Sequence, residues 1–313
     1  MSLPAQSAFS HTPVMLREVL EALAIKPDGI YMDGTFGRGG HGRELLARLG
    51  EQGRLFALDK DPEAIATGNL LAEADHRFSI KQSSFADMDN LLGEQAVQMF
   101  DGIMLDLGVS SPQLDDPQRG FSFRAEGPLD MRMNPAQGIS AADWLADASE
   151  SEITRVLREF GEERKARIIA RSIVTSRQQQ PITTTAQLAQ LIDSAIGRRQ
   201  DKKHPATKSF QAIRIFINNE LADLATGLVT IIRHLRPGGR LAVISFHSLE
   251  DRIVKRTLRE AAQAGPFYRK LPPAPGARAV LRLVGKAQFP SEEEISLNPR
   301  SRSAVLRVAE KLS

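Results

Sequence analysis

The stretch MDGTFGRGGHG, residues 32–42, places five glycines and one histidine directly after an acidic residue. Glycine runs of this kind let a backbone pass close to a ligand or turn where other residues cannot. The run is preceded by GIYMD, which is typical of a short strand, and followed by GRELLARLG, which is typical of a helix. A glycine-rich turn between a first strand and its helix is where parallel sheets bind nucleotides. The stretch therefore predicts a nucleotide-like ligand at the carboxyl edge of such a sheet.

Strand-like and helix-like segments alternate on both sides of this turn and define the fold class. After the first strand come RLFALD, RFSIKQSSF and FDGIMLDLGV as further strands, and near the end RLAVISF as a buried one. Alternating strands and helices predict right-handed βαβ units and a parallel sheet, that is, a Rossmann-like α/β fold. The last two segments, AVLRLVGKAQF and SAVLRVAEKL, are expected to pair antiparallel.

The alternation stops near Pro117, where a Gly/Pro-rich loop and then only amphipathic helices follow. An inserted segment of this size favours a small helical domain over a loop. We therefore expect a core domain split into residues 1–117 and 208–313, with a helical insertion over residues 118–207. One uninterrupted helix is predicted over SFQAIRIFINNELADLATGLVTIIRHL at the return to the core.

Composition excludes several classes of protein. The chain has 25% charged residues, no cysteine and no apolar run near 18 residues. These features exclude disulfides, thiolate metal sites and a membrane-spanning protein. No basic region followed by an apolar stretch opens the chain, so no secretory signal is indicated. We expect a cytoplasmic protein without a membrane partner, and no metal site is predicted.

The charge is unevenly distributed along the chain. Residues 1–117 hold 9 Lys+Arg against 18 Asp+Glu, a net of −9, whereas residues 208–313 hold 18 against 9, a net of +9. Such asymmetry favours a polyanionic partner for the second half of the chain. Ordinary solvated charge is the alternative.

Two carboxylates favour S-adenosylmethionine over a dinucleotide as the ligand. Asp33 ends the first strand, where a carboxylate suits a cationic sulfonium and ammonium but repels a pyrophosphate. Asp59 ends the second strand, where it can accept both ribose hydroxyls. The G-x-G-x-x-G fingerprint is imperfect, because Phe36 precedes Gly37. Asp59 suits NAD as well, so an NAD-dependent oxidoreductase remains an alternative, and Asp59 as a simple helix cap is another.

The fourth strand ends in DLGVSSPQLDDPQRGFSF, an acidic residue followed by a tight, proline-containing loop. This arrangement is similar to the Asp/Asn-Pro-Pro-Tyr segment of amino-methyltransferases. An exocyclic base amine is a weak nucleophile because its lone pair is delocalised into the ring. An acceptor such as Asp106 can orient the amine and favour the positive charge that develops on nitrogen. The alternative is that Asp106 only caps a turn.

Taken together, HTPVML, DGTFGRGGHG, the strand-four segment, GPLDMRM, HPATKSFQAIRIFINNEL, PGGRLAVISFHSLEDRIVK and NPRSRSAVLRVAE resemble the MraW family over residues 11–310. The resemblance implies a class I S-adenosylmethionine-dependent methyltransferase. It also implies the target, the N4 amine of one cytosine in the decoding centre of small-subunit ribosomal RNA. The absence of cysteine agrees, because methylation at carbon 5 of cytosine generally needs a thiolate.

The resemblance also implies a cofactor site, and the argument from the fourth strand makes Asp106 the candidate catalytic residue. Its residues are Gly39, Gly40, His41, Asp59, Phe85, Asp106 and Gln113. The argument from the glycine stretch adds Asp33 and Gly37. Two alternatives remain open at this point. His41 at a helix start is equally compatible with a polar surface residue, and Phe85 alone is more typical of a core residue.

Basic and polar residues of the second half are candidates for contacts with RNA. Arg252, Lys255, Arg256 and Arg259 fall at helical spacing and form one basic face. The candidate substrate residues are Ser110, Lys208, Arg214, His247, Arg252 and Arg256. Lys208 stands where several relatives have arginine, which keeps the charge but not the fork geometry.

The expected partner is small-subunit ribosomal RNA within the assembled subunit, with the helical insertion as an RNA-recognition domain and a homodimer as a further expectation. A non-catalytic RNA-binding factor for ribosome assembly is the alternative from another functional class. Such a factor would need neither a complete cofactor pocket nor the loop that follows Asp106.

Overall fold

A computed structural model describes residues 13–92, 99–197, 204–263 and 278–313 of the chain. His11 and Thr12 of the HTPVML motif lie outside the described residues. The chain forms two compact units. The first unit consists of Met1–Gly108 and Leu224–Ser313, and the second unit consists of Val109–Asp223.

The elements alternate in the first unit and are all helical in the second. The strands are β1 Ile30–Asp33, β2 Arg54–Asp59, β3 Phe78–Gln82, β4 Phe100–Asp106, β5 Leu235–Ser245, β6 Leu281–Leu283 and β7 Val305–Lys311. The α-helices are α1 Leu16–Leu23, α2 Gly40–Leu46, α3 Pro62–Ala74, α4 Met88–Leu92, α5 Ser111–Asp115, α6 Ala141–Asp147, α7 Glu150–Gly161, α8 Ala166–Arg177, α9 Thr185–Ile196, α10 Thr207–Ile217, α11 Glu220–Arg233, α12 Ser248–Ala261 and α13 Glu292–Leu297. Short 3-10 helices cover Phe85–Asp87, Pro117–Arg119 and Pro299–Ser303.

The first unit is built on one seven-stranded sheet in the order β3-β2-β1-β4-β5-β7-β6. The pairs from β3 to β5 are parallel, while β7 runs antiparallel to both β5 and β6. The predicted Rossmann-like α/β fold and the antiparallel final pair are confirmed. Because β1, β2, β4 and β5 are parallel, their carboxyl ends meet at one edge of the sheet, which we call the carboxyl edge.

Both faces of this sheet are buried by helices. Along β4, Ile103 and Leu105 pack with α11 and α12 in one core, whereas Met104 packs with α1 in the other. Successive side chains of a strand point to opposite faces, so this division follows the period of two. Burial on both faces explains why FDGIMLD reads as a continuous apolar run rather than an alternating one.

The second unit has its own helical core, and its boundaries differ from the expected 118–207. Phe210, Ala212 and Ile213 of α10 belong to this core, together with Trp144 of α6. The sequence analysis places α10 in the core domain, because it predicts one helix over α10 and α11 that leads back into the α/β pattern. The packing of α10 on α7 places it in the second unit instead.

The single helix predicted after residue 208 is wrong, because α10 ends at Ile217 and α11 begins at Glu220. Asn219 has a φ of 54°, a left-handed conformation that interrupts a helix. Asn218 uses its side chain to bind the backbone of Met131 and Met133. Within the described residues, no single helix is long and apolar enough to cross a membrane. The bent pair of α10 and α11 is together long and apolar enough, by length and composition only.

Two glycines in the loop before α6 of the second unit have the same backbone conformation but differ in how closely they are packed. Gly120 and Gly138 have nearly equal left-handed φ values of 73° and 72°. A Cβ on Gly120 would lie 2.4 Å from the oxygen of Pro128, whereas a Cβ on Gly138 meets nothing within 4 Å. We expect Gly138→Ala to cost about 1–2 kcal/mol of unfolding free energy for backbone strain alone. Gly120→Ala should cost about 1–3 kcal/mol more, because its Cβ overpacks the loop.

Urea unfolding followed by fluorescence measures this difference, because Trp144 is the only tryptophan of the chain and lies in the core of the second unit. Equal losses for the two variants would contradict the close packing of the loop around Gly120.

Candidate functional site

The carboxyl ends of β1 and β4 are joined through Thr35. Its backbone N–H donates to Asp33 Oδ1 at 3.1 Å, and its hydroxyl accepts the backbone N–H of Asp106 at 2.6 Å. Asp33 is buried, with 1% of its surface exposed. These bonds place two predicted site residues on neighbouring strands at the carboxyl edge.

Asp59, at the end of β2, is held by the backbone of the glycine stretch. Its Oδ2 accepts the N–H of Gly37 at 2.7 Å, and its Oδ1 accepts the N–H of Asp61 at 2.8 Å. The helix-cap alternative for Asp59 is wrong, because Asp61 caps α3 by accepting the N–H of Glu63. A carboxylate offers about four lone-pair sites, so Asp59 retains capacity for hydroxyl donors.

The glycines of the predicted cofactor loop are required by the protein's own packing. Gly39 has a φ of 78°, and a Cβ on it would lie 2.5 Å from the ring of Phe36. A Cβ on Gly40 would lie 2.4 Å from the ring of Pro13. Gly37 also has a left-handed φ, of 57°. The structure therefore gives these three glycines a structural role, and a role in cofactor binding stays a prediction.

His41, in the first turn of α2, is buried with 5% of its surface exposed. The alternative of a polar surface residue is therefore wrong. Its Nε2 lies 3.0 Å from the carbonyl oxygen of Val14, and its Nδ1 lies 3.7 Å from Oδ2 of Asp106. The second distance is longer than a hydrogen bond. Burial lowers the pKa of His41 to about 4, opposed by the contact with Val14, so the imidazole is neutral near pH 7.

The carboxyl groups of the edge hold protons at unusually high pH. Burial raises the pKa of Asp33 to about 7, with the charge of Asp59 adding to it and the N–H of Thr35 opposing it. Burial, with the charges of Asp33 and Glu250, raises the pKa of Asp106 to about 8. Although 28% of the Asp106 side chain is exposed, its Oδ1 is shielded from solvent. Burial also raises the pKa of Asp59, against three backbone N–H donors.

The end of β5, next to β4, adds a second group of buried polar atoms. Glu250 of α12 accepts the N–H of Phe246 at 2.8 Å, and its Oε1 lies 3.1 Å from Nε2 of His247. The hydroxyl of Ser245 and Oδ1 of Asp106 have no hydrogen-bond partner among the described residues. Unpaired buried polar groups are costly and are concentrated at functional sites.

The chemistry of the edge fits a cationic ligand that carries hydroxyls. Among the described residues, no lysine or arginine forms an ion pair with Asp33, Asp59 or Asp106. Carboxylates crowded without a counter-ion disfavour their own ionisation and attract an external cation. A pyrophosphate would add charge of the same sign.

Phe85 begins the 3-10 helix after β3 and is buried in the core that contains α11. A Cβ on Gly227 would lie 2.5 Å from its ring, and a Cβ on Gly34 would lie 3.3 Å from its own Cβ. The core alternative for Phe85 is therefore confirmed. The predicted adenine contact is untested, and Gly34 places Phe85 beside the glycine stretch.

The remaining candidates between residues 110 and 214 belong to the second unit. Gln113 is buried and accepts the N–H of Ser110 at 2.9 Å, which closes the first turn of α5. Lys208 is exposed and donates to the carbonyl oxygen of Glu162 at 3.2 Å, at the end of α7. Their cofactor and substrate roles stay predictions.

Arg214 does not have the free guanidinium that a phosphate contact requires. It forms a bidentate ion pair with Glu220, with both distances 2.8 Å, and its side chain is only 14% exposed. We therefore assign Arg214 a structural role in joining α10 to the start of α11. A partner six residues ahead could not be inferred from helical spacing, because the chain breaks between them.

The basic face predicted on α12 is present in the first unit. Arg252, Lys255, Arg256 and Arg259 are all exposed. Arg256 also pairs with Glu260, four residues on, at 2.8 Å. His247 is the N-cap of this helix, so its predicted substrate contact competes with a capping role. Contacts of this face with RNA stay a prediction.

The sequence analysis missed two residues of the edge. Thr35 connects Asp33 to Asp106, and Glu250 adds a buried carboxylate whose charge acts on Asp106. A glutamate at the third helical position after a strand is an ordinary capping signal, and that signal pointed to α12 without revealing the burial of Glu250. Thr35 gave no signal beyond its place among the glycines.

Comparisons with known proteins identify the family. A sequence model of the MraW methylase family matches residues 8–312. The chain is 56% identical over 306 residues to "Ribosomal RNA small subunit methyltransferase H" of Thiobacillus denitrificans, covering 97% of this chain and 98% of that protein. It is 54% identical over 307 residues to the protein of the same name from Pseudoalteromonas atlantica, with coverage of 97% and 98%. The chain belongs to the MraW methylase family.

Among solved structures, an rRNA methylase from Streptococcus thermophilus matches with a TM-score of 0.42 and 11% identity, covering 98% of this chain and 100% of that one. Family membership confirms the predicted family and the prediction of a methyltransferase. The alternative of an NAD-dependent oxidoreductase is therefore wrong.

The raised pKa of Asp106 makes stability depend on pH. Between an ordinary pKa of 3.8 and the folded value of about 8, the folded protein keeps a proton that the unfolded chain has lost. The unfolding free energy therefore falls as pH rises through this window, by about 1.4 kcal/mol per pH unit for each such proton. We expect Asp106→Asn to weaken this decline between pH 5 and 8, as measured by urea unfolding.

Asp75→Asn is the control with the opposite sign. A hydrogen bond from Arg77 lowers the pKa of Asp75 to about 2, so its contribution is present at neutral pH and lost on acidification. Asp75→Asn should therefore destabilise the protein at pH 7 and matter least at low pH. Parallel pH curves for Asp106→Asn and the unmodified protein would contradict the raised pKa of Asp106.

Proposed function

We propose that this protein is an S-adenosylmethionine-dependent methyltransferase that modifies the N4 amine of one cytosine in the decoding centre of small-subunit ribosomal RNA. The observation that carries the proposal is the carboxyl edge, where Asp33, Asp59 and Asp106 have no lysine or arginine paired to them in the described part of the chain. The names of relatives more than 50% identical over nearly the whole chain support ribosomal RNA of the small subunit as the substrate.

Different residues of the edge suit different groups of the cofactor. Asp59 suits the ribose hydroxyls, because two N–H donors fix its carboxylate at the end of β2. Asp33 suits the positive groups, which would lower the pKa of its carboxyl. When bound, S-adenosylmethionine supplies an electrophilic methyl group on its sulfonium. The residues of the edge contribute its orientation.

Asp106 is placed to act on the acceptor amine. It ends β4, its backbone is fixed by Thr35, and its Oδ1 has no partner among the described residues. An acceptor at this position can bind a hydrogen of the amine and turn the nitrogen lone pair toward the methyl group. The chain contains no cysteine, so the thiolate that carbon-5 methylation of cytosine generally uses is absent, whereas an amine needs only direct transfer.

The RNA partner is supported by charge. The basic face of α12 follows the strand that ends beside Asp106, and residues 208–313 carry a net charge of +9, from 18 Lys+Arg and 9 Asp+Glu. We infer that the second unit, which includes most of the expected insertion, takes part in RNA recognition. We also infer that the enzyme acts in the cytoplasm on the assembled small subunit, where the target base would have to be extruded. A homodimer stays a prediction.

The direct test is methyl transfer from labelled S-adenosylmethionine to free ribosomal RNA and to small subunits from cells that lack this protein, followed by digestion to nucleosides. We expect label in N4-methylcytidine. Asp106→Ala should reduce the rate by about 100- to 1,000-fold, because the amine loses its acceptor. Glu73→Ala, an exposed carboxylate of α3, is the matched control and should leave the rate unchanged.

Label in another nucleoside would overturn the N4 assignment but leave the enzyme class intact. Cofactor binding without any transfer, and unchanged function in Asp106→Ala, would favour the non-catalytic assembly factor instead.

The basic face of α12 predicts a specific dependence on salt. Arg256→Ala should weaken RNA binding and reduce the slope of log K against log salt by about 1, the value for one lost phosphate contact. Arg17→Ala is a matched control, because both arginines are 78% exposed and both pair with glutamates of their own helix. Equal effects of the two substitutions would indicate nonspecific attraction rather than contact through α12.

A further inference from the structure

The imidazole of His41 contacts a different group through each of its nitrogens. Nε2 lies 3.0 Å from the carbonyl oxygen of Val14, and Nδ1 lies 3.7 Å from Oδ2 of Asp106. Nothing in the cofactor chemistry described above uses this arrangement. Catalytic hydrogen bonds are often long in ligand-free structures and shorten in the complex, so 3.7 Å is compatible with a functional pair.

The carbonyl that faces His41 is fixed on its other side. Val14 C=O and Met15 N–H belong to the same peptide unit, and that N–H donates to Oε1 of Glu294 at 2.7 Å. Met15 has a φ of 53°, a conformation that a non-glycine residue adopts only when its surroundings impose it. Rotating this peptide away from His41 would break both contacts, so the carbonyl oxygen remains directed at Nε2.

A fixed carbonyl restricts the protonation state of the imidazole. A carbonyl oxygen only accepts, so Nε2 must carry a hydrogen. The neutral form with hydrogen on Nδ1 would set two lone pairs against each other at 3.0 Å. The imidazolium is opposed by burial, which lowers the pKa of His41 to about 4. The remaining form has hydrogen on Nε2 and a lone pair on Nδ1, directed toward Asp106.

We propose that His41 is a positioning residue that holds the proton of the Asp106 carboxyl on Oδ2, and so leaves Oδ1 as the acceptor for the substrate amine. A lone pair on Nδ1 repels an ionised Oδ2 and accepts a hydrogen from a protonated one. Oδ1 is the carboxyl oxygen that has no partner among the described residues. The assignment of Oδ1 to an amine rests on the proposed function, whereas the arrangement of His41 does not.

The surrounding charges agree with a protonated carboxyl. Besides His41, the groups that act on Asp106 are Asp33 of β1 and Glu250 of α12, both acidic, and they add to burial in raising its pKa to about 8. A neutral carboxyl with hydrogen on one oxygen has the same pattern as an amide, one donor and one acceptor. Asparagine is therefore the substitution that should preserve the arrangement.

NMR of the imidazole nitrogens tests the protonation state without substrate. In full-length protein labelled with 15N-histidine, we expect His41 to be neutral at pH 7 with hydrogen on Nε2, and His41→Gln identifies its signals among the six histidines. Hydrogen on Nδ1, or an imidazolium at pH 7, would overturn the proposal. The tautomer is read on the unmodified protein, and the variant serves only to assign the signals of His41.

Methyl transfer with substituted Asp106 tests the consequence for the reaction. We expect Asp106→Leu to lower kcat about 100-fold or more, because both the donor and the acceptor are lost, and Asp106→Asn to lower it about 10-fold at most. When His41 is also replaced by Leu, the imidazole nitrogen that would accept a hydrogen from the amide of Asp106→Asn is gone. The higher kcat of Asp106→Asn relative to Asp106→Leu should then disappear. An Asp106→Asn variant without methyl transfer would overturn the proposal, and so would a difference in kcat between Asp106→Asn and Asp106→Leu that persists in the His41→Leu background.

The experiments distinguish a wrong proposed function from a wrong role of His41. Unmodified protein that transfers no methyl group to ribosomal RNA would reject that function, while the NMR signals of His41 would still report its tautomer. A methyl-transfer enzyme in which His41 has hydrogen on Nδ1 would reject only the positioning role.

Discussion

The burial of several carboxyl groups at one edge of the sheet, without a lysine or arginine paired to them in the described part of the chain, is the constraint on which the site depends. Asp33, Asp59 and Asp106 end three neighbouring strands, so the topology brings them together. Burial disfavours the ionisation of all three carboxyls, and the charge of Asp59 adds to this effect at Asp33, as the charge of Asp33 does at Asp106. A fold that keeps such an edge gives up stability there, which is typical of a binding site for a cation rather than of a structural core.

The backbone around the edge makes this arrangement possible. Thr35, Gly37 and Asp61 direct N–H groups at the carboxylates, which partly offsets the cost of burying them. The glycine stretch turns tightly enough to do so because Gly39 and Gly40 leave room for the rings of Phe36 and Pro13. The question raised by five glycines thus has an answer within the protein. These glycines are needed for the packing of the loop on Phe36 and Pro13, and this packing places the loop at the carboxyl edge.

The sequence predicted the strands, the glycine turn and Asp33, Asp59 and Asp106, because these depend on local periodicity and on the positions of strand ends. It failed where a side chain chooses a partner across the fold. Asn218 binds backbone in a distant loop and the helix breaks beside it, while Arg214 pairs across that break with Glu220. The boundaries of the second unit depend likewise on the packing of α10 on α7. Local patterns contain none of these contacts.

The choice of histidine beside Asp106 follows from the same constraint. A lysine or arginine at position 41 would pair with the ionised Asp106 carboxylate and add positive charge to the edge, which would weaken the attraction for a cationic ligand. A buried imidazole that donates to the Val14 carbonyl instead contacts Asp106 without adding charge. Asp33 and Asp59 therefore stay available to attract a cation, while the proton of the Asp106 carboxyl is held on one oxygen. By linkage, a cation that lowers the pKa of Asp33 and Asp59 binds more tightly as pH rises, because fewer protons must be displaced from these two carboxyls.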